Sequence, residues 1–432
     1  LAGDLFNLFV SFEMLLFASY VLLTLGGTDA RIRAGTIYVV VNVISSSLFL
    51  ISIAAVYAAT GSLNLAQLAQ RLDDVPDELG LVLQLLLLTT FAIKAAVFPL
   101  SFWLPDSYPT APAPVTAVFA GLLTKVGIYA IIRTQTLLFP GSPLTDLLLV
   151  AALLTLVVAI LGAVAQSDLK RMLSFTLVSH IGYMLFGVAL ATAAGISGAI
   201  FYVAHHITIQ TALFLVLGLV ERQGGSTSLL KLGGLARFAP VVGVLYFVPA
   251  MNLAGIPPMS GFLGKVGLTQ AGIEDGSALA YVVVAAGMVT SLLTLYAVAK
   301  AWNLAFWRTP EEAHEMSHAL IEHGERTGSH VVVENQDHGH AGDTYGATDR
   351  DEARSIVDED DESHQDLHQL IEAGDLPTTL PRTMVGATAA LVVASLALTV
   401  VAGGLFGYTD RAAENLLDRD LYVRSVLAED GS

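Results

Sequence analysis

The chain has 432 residues, with 38 Asp and Glu against 21 Lys and Arg, so its formal net charge is −17. Hydrophobic residues make up 54% and charged residues 14%, against a charged share of roughly 25% in soluble domains, and mean hydropathy is +0.66. These values exclude an ordinary soluble domain and a basic nucleic-acid surface, and the absence of Cys removes disulfides, thiolate nucleophiles, Fe–S ligation and Cys-based zinc sites.

Runs of about 20 apolar residues, enough to cross a hydrocarbon core of ~30 Å, recur along the chain. A membrane barrel would read as short alternating segments instead. The pattern predicts an all-α polytopic membrane protein with ten spans, at about 4–25, 35–59, 80–100, 113–134, 144–165, 172–192, 196–220, 240–270, 278–306 and 383–408. The first residue is Leu1. The first span is too long and apolar for a signal peptide, lacks a basic leading region and carries Glu13, so the sequence is expected to begin at a transmembrane helix of a longer protein.

The third span ends at Pro99, with Pro105 beyond it, and the eighth is interrupted by Pro257 and Pro258. A proline in a membrane helix frees a backbone carbonyl that needs another partner. The two segments are either simply kinked or are discontinuous helices, which in transporters point to the ion pathway. One set of alternate loops holds Arg31, Arg33, Lys170, Arg171, Arg222, Lys231 and Arg237, and the other holds Arg71, with Arg133 at a helix edge. The positive-inside rule places the first set in the cytoplasm and Leu1 outside. Arg411, Arg419 and Arg424 in the tail lean the other way.

The organisation read from composition is a transmembrane region over 1–307, a soluble loop over 308–382, a last span at 383–408 and a polar tail over 409–432. The loop holds 19 of the 38 acids and eight of the 11 His. Its run Asp358-Glu359-Asp360-Asp361-Glu362 reads as solvated and disordered. Its scattered histidines fit either a solvated loop or a metal-binding tract.

Ionisable residues inside apolar spans are the most informative feature. Of six Lys, Lys94, Lys125 and Lys265 lie within spans, as does Glu13, while Lys300 sits near a helix end where snorkelling accounts for it. A charge at the bilayer centre costs at least ~2.5–3.5 kcal/mol and faces the bundle interior. A Lys that alternately meets and leaves a carboxylate can take up and release a proton, as a proton relay needs. A static ion pair joining helices fits the same residues. His180, His205 and His206 are also mid-span, with Gln210 one turn beyond His206. Each His is either a shuttle or a hydrogen-bonded packing residue. Asp106 reads as a helix cap or a pathway residue, Trp103 as an interfacial anchor, and Asn42 with Ser45, Ser46 and Ser47 as helix-packing positions. No P-loop, GxGxxG turn, catalytic triad spacing or redox ligand set is evident, and no cofactor or bound metal is implied.

The segments GDLFNLFVSFEMLLFASYVLLTLGG, FAIKAAVFPLSFWLPDSYPTAPAPVTAVFAGLLTKVGIY, SDLKRMLSFTLVSHIGYM and GIPPMSGFLGK, in this order, resemble the antiporter-like membrane subunits shared by respiratory complex I and multisubunit Mrp-type Na⁺/H⁺ antiporters. The first segment is most similar to the D-type subunits. The resemblance covers about residues 1–305. It implies a fold of about fourteen helices with two inverted five-helix repeats, each containing a broken helix, of which roughly the first four helices precede Leu1. It implies Glu13, Lys94, Lys125, His206 and Lys265 as the relay; His180, His205 and Gln210 are candidate further members on their mid-span position alone. Gln210 stands where many relatives carry a second Lys. The resemblance implies a non-enzymatic subunit of a cation/proton antiporter in the cell membrane, with protons, monovalent cations, lipid and other subunits as partners. The rivals are a proton-pumping subunit of a complex I-like or hydrogenase-like enzyme and a non-transporting scaffold.

Overall fold

The computed structural model describes residues 2–25, 27–316, 319 and 380–427. Most of the acidic loop expected over 308–382 lies outside them. The helices run α1 (Leu5–Thr24), α2 (Asp29–Thr60), α3 (Leu65–Arg71), α4 (Asp77–Ala95), α5 (Trp103–Ser107), α6 (Ala113–Arg133), α7 (Thr145–Ala165), α8 (Leu169–Ala189) and α9 (Ala193–Gly224). They continue as α10 (Leu235–Phe238), α11 (Pro240–Ala254), α12 (Ser260–Asp275), α13 (Ala278–Ala301), α14 (Arg382–Val400), α15 (Ala402–Leu417) and α16 (Arg419–Leu427).

Among the described residues, nine helices are long and apolar enough to cross a membrane. The eighth expected span, 240–270, is two half-helices, α11 and α12, interrupted between Ala254 and Ser260. Pro257 and Pro258 carry no amide hydrogen, so the helical ladder cannot run through them. The third span behaves alike: α4 stops at Ala95, and helix resumes only at α5. Both breaks open on a left-handed residue, Ala96 (φ 58°) and Gly255 (φ 87°). The last expected span, 383–408, is interrupted at Val401, between α14 and α15.

The packing is that of a bundle in lipid. Met14, Phe17 and Val21 on α1, Ile44 and Ile51 on α2, and Val289 and Leu292 on α13 are all exposed. In water they would form a large apolar patch, whereas hydrocarbon is their natural neighbour. The centre is α8, whose most apolar window is 94% buried against 28% for α1. It packs between α7 and α9.

Two sets of helices run in opposite senses through this bundle. In each, a first helix (α1 or α8) precedes a long one of 32 residues (α2 or α9), then a broken one (α4–α5 or α11–α12), then an unbroken one (α6 or α13). The two sets are clamped alike. Asp4 caps α1, and the chain before it pairs with the loop after α2 through Leu5 N to Leu63 O (3.0 Å) and Leu65 N to Gly3 O (2.9 Å). Asp168 caps α8, with Leu169 N to Thr227 O (3.0 Å) and Leu229 N to Ser167 O (2.7 Å).

Buried backbone carbonyls need donors, and two side chains supply them where the sequence suggested other roles. Trp103 is not an interfacial anchor: it is 2% exposed, and its indole Nε1 donates to Ile93 O at the first break (3.1 Å). Lys300 closes the end of α7, donating to Val164 O (3.0 Å) and Gln166 O (2.9 Å). Asp106 caps no helix; it pairs with Arg171 of α8 (3.0 Å), tying the first set to the second. The tail is helical. Ser197 of α9 donates to Asp410 of α15 (2.5 Å), Arg419 pairs with Asp73 (3.0 Å), and Arg133 lies 4.0 Å from the Tyr422 ring.

Replacing Trp103 with Phe keeps the ring and removes the indole donor. A loss of about 1–2 kcal/mol is expected from the missing hydrogen bond and imperfect repacking. It should read as a lower thermal midpoint of the solubilised protein. An unchanged midpoint would show that the indole contributes nothing at the break.

Candidate ion-translocation site

In the first set, three helices converge on one hydroxyl. Glu13 lies in the middle of α1, Ser46 in the middle of α2 and Lys94 in the last turn of α4. Ser46 Oγ donates to Glu13 Oε1 and accepts from Lys94 Nζ (3.1 Å). The ammonium is 4% exposed and lies 5.9 Å from the Phe12 ring centre. Its place at the C-terminal end of a half-helix also favours a cation. A small cavity of about 10 Å³ touches Lys94, Asn42, Tyr38 and Trp103, room for about one water. Ser46, read from the sequence as a packing position, is therefore the link between the two charges.

Lys125, on α6, is 4% exposed and turns back on its own helix, donating to Ala120 O (2.5 Å). Two glycines let α6 approach its neighbours closely. A Cβ on Gly127 would lie 2.7 Å from Ala95 N beside Lys94, and one on Gly121 would lie 2.5 Å from Thr211 Oγ1 on α9. Lys125 thus stands between the first set and α9.

The second set is richer in rings. His180 on α8 and His206 on α9 are fully buried, with ring centres 5.2 Å apart. Tyr202 Oη meets His180 Nδ1 at 3.0 Å. Neither ring nitrogen of His206 has a protein hydrogen-bond partner. Gln210 donates Nε2 to Leu173 O (2.8 Å), which fixes the amide on α8 and leaves Oε1 without a protein partner.

His205 faces the second break. Its Nδ1 meets Ser260 Oγ (3.0 Å), and Ser260 is in turn bound to the Asn252 side chain. Lys265, on α12, donates to Leu253 O (3.1 Å) and Ala254 O (3.0 Å), with the Tyr183 ring centre 5.2 Å from Nζ. The prolines Pro99, Pro257 and Pro258 lie within the breaks and leave them open. Sequence reasoning missed Ser46, Tyr183, Tyr202, Asn252 and Ser260 as members of this array. Their signal is faint, since hydroxyls and amides inside apolar spans also serve ordinary helix packing.

The Lys and His residues named from the sequence therefore fall into two buried groups joined by Lys125. Of the loop histidines only His314 is among the described residues, and no metal-holding group of His, Asp and Glu occurs among those residues.

The second break is intolerant of bulk. A Cβ on Gly261 would lie 2.0 Å from Asn252 O and 3.0 Å from the His205 ring. Gly261→Ala is expected to remove most of the folded chain from the membrane fraction. Gly386→Ala, with nothing within 4 Å of its Cβ, is the control. Equal amounts of the two would refute this close packing.

Comparison with known proteins places this geometry. Residues 2–294 match the family described as NADH:quinone oxidoreductase/Mrp antiporter, transmembrane. The chain is 45% identical over 325 residues to the D-type subunit of the Na⁺/H⁺ antiporter of Alkalihalophilus pseudofirmus, covering 74% of this chain and 65% of that one. It therefore spans about two thirds of the length of that relative. A solved structure of the Mrp complex from a Dietzia species contains a chain that superposes with TM-score 0.78 at 35% identity, covering 98% of this chain and 76% of the other. A chain of a membrane-bound sulfane sulfur reductase, an archaeal respiratory membrane complex, shares the fold at TM-score 0.78 and 24% identity, covering 99% of this chain and 74% of that chain. With two oppositely directed helix sets, a broken helix in each and a match over residues 2–294, the chain belongs to the transmembrane family shared by NADH:quinone oxidoreductases and Mrp antiporters.

Proposed function

We propose that this chain is the ion-translocating subunit of a multisubunit Na⁺/H⁺ antiporter and moves protons through the Glu, Lys and His residues within its membrane spans. The observation that carries the reading is the Glu13–Ser46–Lys94 bridge. Glu13 and Lys94 share one hydroxyl between three helices, so a small shift of α4 changes how closely the two groups approach. Protons enter one half-channel and load the Glu13–Lys94 group. They pass by Lys125 and buried water to His206, whose ring nitrogens have no protein hydrogen-bond partner, and leave by way of Lys265. The proton gradient drives sodium the other way. Support comes from the D-type relative and from the Mrp-complex neighbour. The other subunits of such a complex are the proposed partners.

A second reading is supported by the archaeal respiratory neighbour. In it the same relay pumps protons, driven by redox chemistry in other subunits.

The test is sodium-dependent dissipation of a pH gradient in everted vesicles carrying the complete assembly. Lys94→Ala is expected to abolish exchange with the assembly intact. Ser46→Ala is expected to lower it roughly tenfold, as for a transition state that loses one charge-assisted hydrogen bond of ~1.4 kcal/mol. Ser45→Ala serves as the neighbouring control. Normal exchange in Lys94→Ala would refute the relay. Wild-type vesicles with no sodium dependence would favour the redox-driven pump.

A further inference from the structure

The two breaks are built alike but stoppered differently. At the first, the side-chain donor onto the broken end of α4 is the neutral indole of Trp103. At the second, the broken end of α11 is held by an ammonium: Lys265 Nζ donates to both Leu253 O and Ala254 O, 3.1 and 3.0 Å away. The neighbouring carbonyls of Met251 and Asn252 are already engaged by the amides of Gly255 and Ile256. Two convergent carbonyls at the C-terminal end of a half-helix therefore hold one monovalent cation, which happens to be covalently tethered.

Backbone carbonyls at unwound helix ends also coordinate alkali cations, replacing part of the hydration shell. The local chemistry favours a cation, and among the described residues Lys265 forms no ion pair. The groups facing Lys265 are His180 and Tyr183 from α8 and His205 and His206 from α9. α11, α13 and α14 bring hydroxyls and an amide to this region, namely Asn252, Ser260 at the start of α12, Thr294 and Thr399. Gly255 leaves the space open, since a Cβ there would lie 3.1 Å from Lys265 Cδ and 3.3 Å from Nζ.

We infer that the carbonyls of Leu253 and Ala254 form a sodium site that the Lys265 ammonium occupies in the protonated protein. Sodium enters when Lys265 gives up its proton to water and the neutral amine turns aside. One positive charge replaces another, so the buried carbonyls are never without a cation and the site never carries two. This places the exchange of Na⁺ for H⁺ at a single position in the second set. It rests on the antiporter reading for its physiological direction, but the binding it describes is an equilibrium property.

The experiment is equilibrium binding of radioactive sodium to the purified complete assembly in lipid nanodiscs, with no gradient, at a series of pH values. In wild type, affinity at one site is expected to weaken about tenfold per pH unit as Lys265 protonates, as one-for-one competition requires. Lys265→Gln should keep that site and remove its pH dependence. Lys265→Arg, permanently charged, should lose it, lowering the bound sodium by one per assembly. Sodium binding in wild type that does not change with pH, or binding in Lys265→Arg equal to wild type, would overturn the inference. Wild-type affinity alone decides the matter if a variant fails to assemble. Because no transport is measured, a normal sodium titration beside normal exchange in Lys94→Ala would retain this site while refuting the relay.

Discussion

The organising constraint is the backbone hydrogen bond in a place without water. A helix that stops inside a membrane exposes carbonyls that hydrocarbon cannot satisfy, and this bundle contains two such helices. Each break must be stoppered by donors from the protein, and everything around it is arranged to deliver them. α5 turns back so that Trp103 reaches the end of α4, and α12 sets off so that Lys265 reaches the end of α11. The glycines Gly127 and Gly261 allow neighbouring backbone to come close enough to seal the remaining space.

The same economy explains where the charges are. An isolated ammonium or carboxylate in this interior would be expensive, so each is held by a polar neighbour rather than by a direct opposite charge. Lys94 rests on a hydroxyl that also serves Glu13, Lys125 on a carbonyl of its own helix, and Lys265 on two carbonyls of another. Fully formed buried ion pairs are deep wells, costly to break once made. Dipoles and single hydroxyls hold charges more shallowly. The ion pair formed by the mostly buried Lys170 with Glu221 lies at the ends of α8 and α9, where a fixed position is an asset.

Much of this was legible in the sequence. Apolar runs give the spans because length and hydropathy are the physical requirement for crossing. The prolines at 99, 257 and 258 give the breaks because a missing amide is a local property. Lys94, Lys125 and Lys265 stand out because charge in an apolar run is rare. What composition could not give is direction. Trp103 in a Pro-rich connection looks like an interfacial ring, and only the turn made by α5 points it inward. Ser46 is one of three consecutive serines, and only the packing of α2 against α1 and α4 selects it. The chain after Val401 reads as the rest of a span and a polar tail, because its helices are stabilised by distant partners rather than by their own apolar content.

Those last helices have a consequence for how the molecule comes together. α15 touches α9 through Ser197 and Asp410, while α16 touches the opposite set through Asp73 and Arg133. Arg419 and Asp73 are 346 positions apart. Contacts of such high sequence separation can form only once α16 has been synthesised. The two helix sets can each insert and fold while the chain is still emerging, but the fastening that joins them from outside arrives last. Among the described helices, α15 and α16 thus close the two sets together.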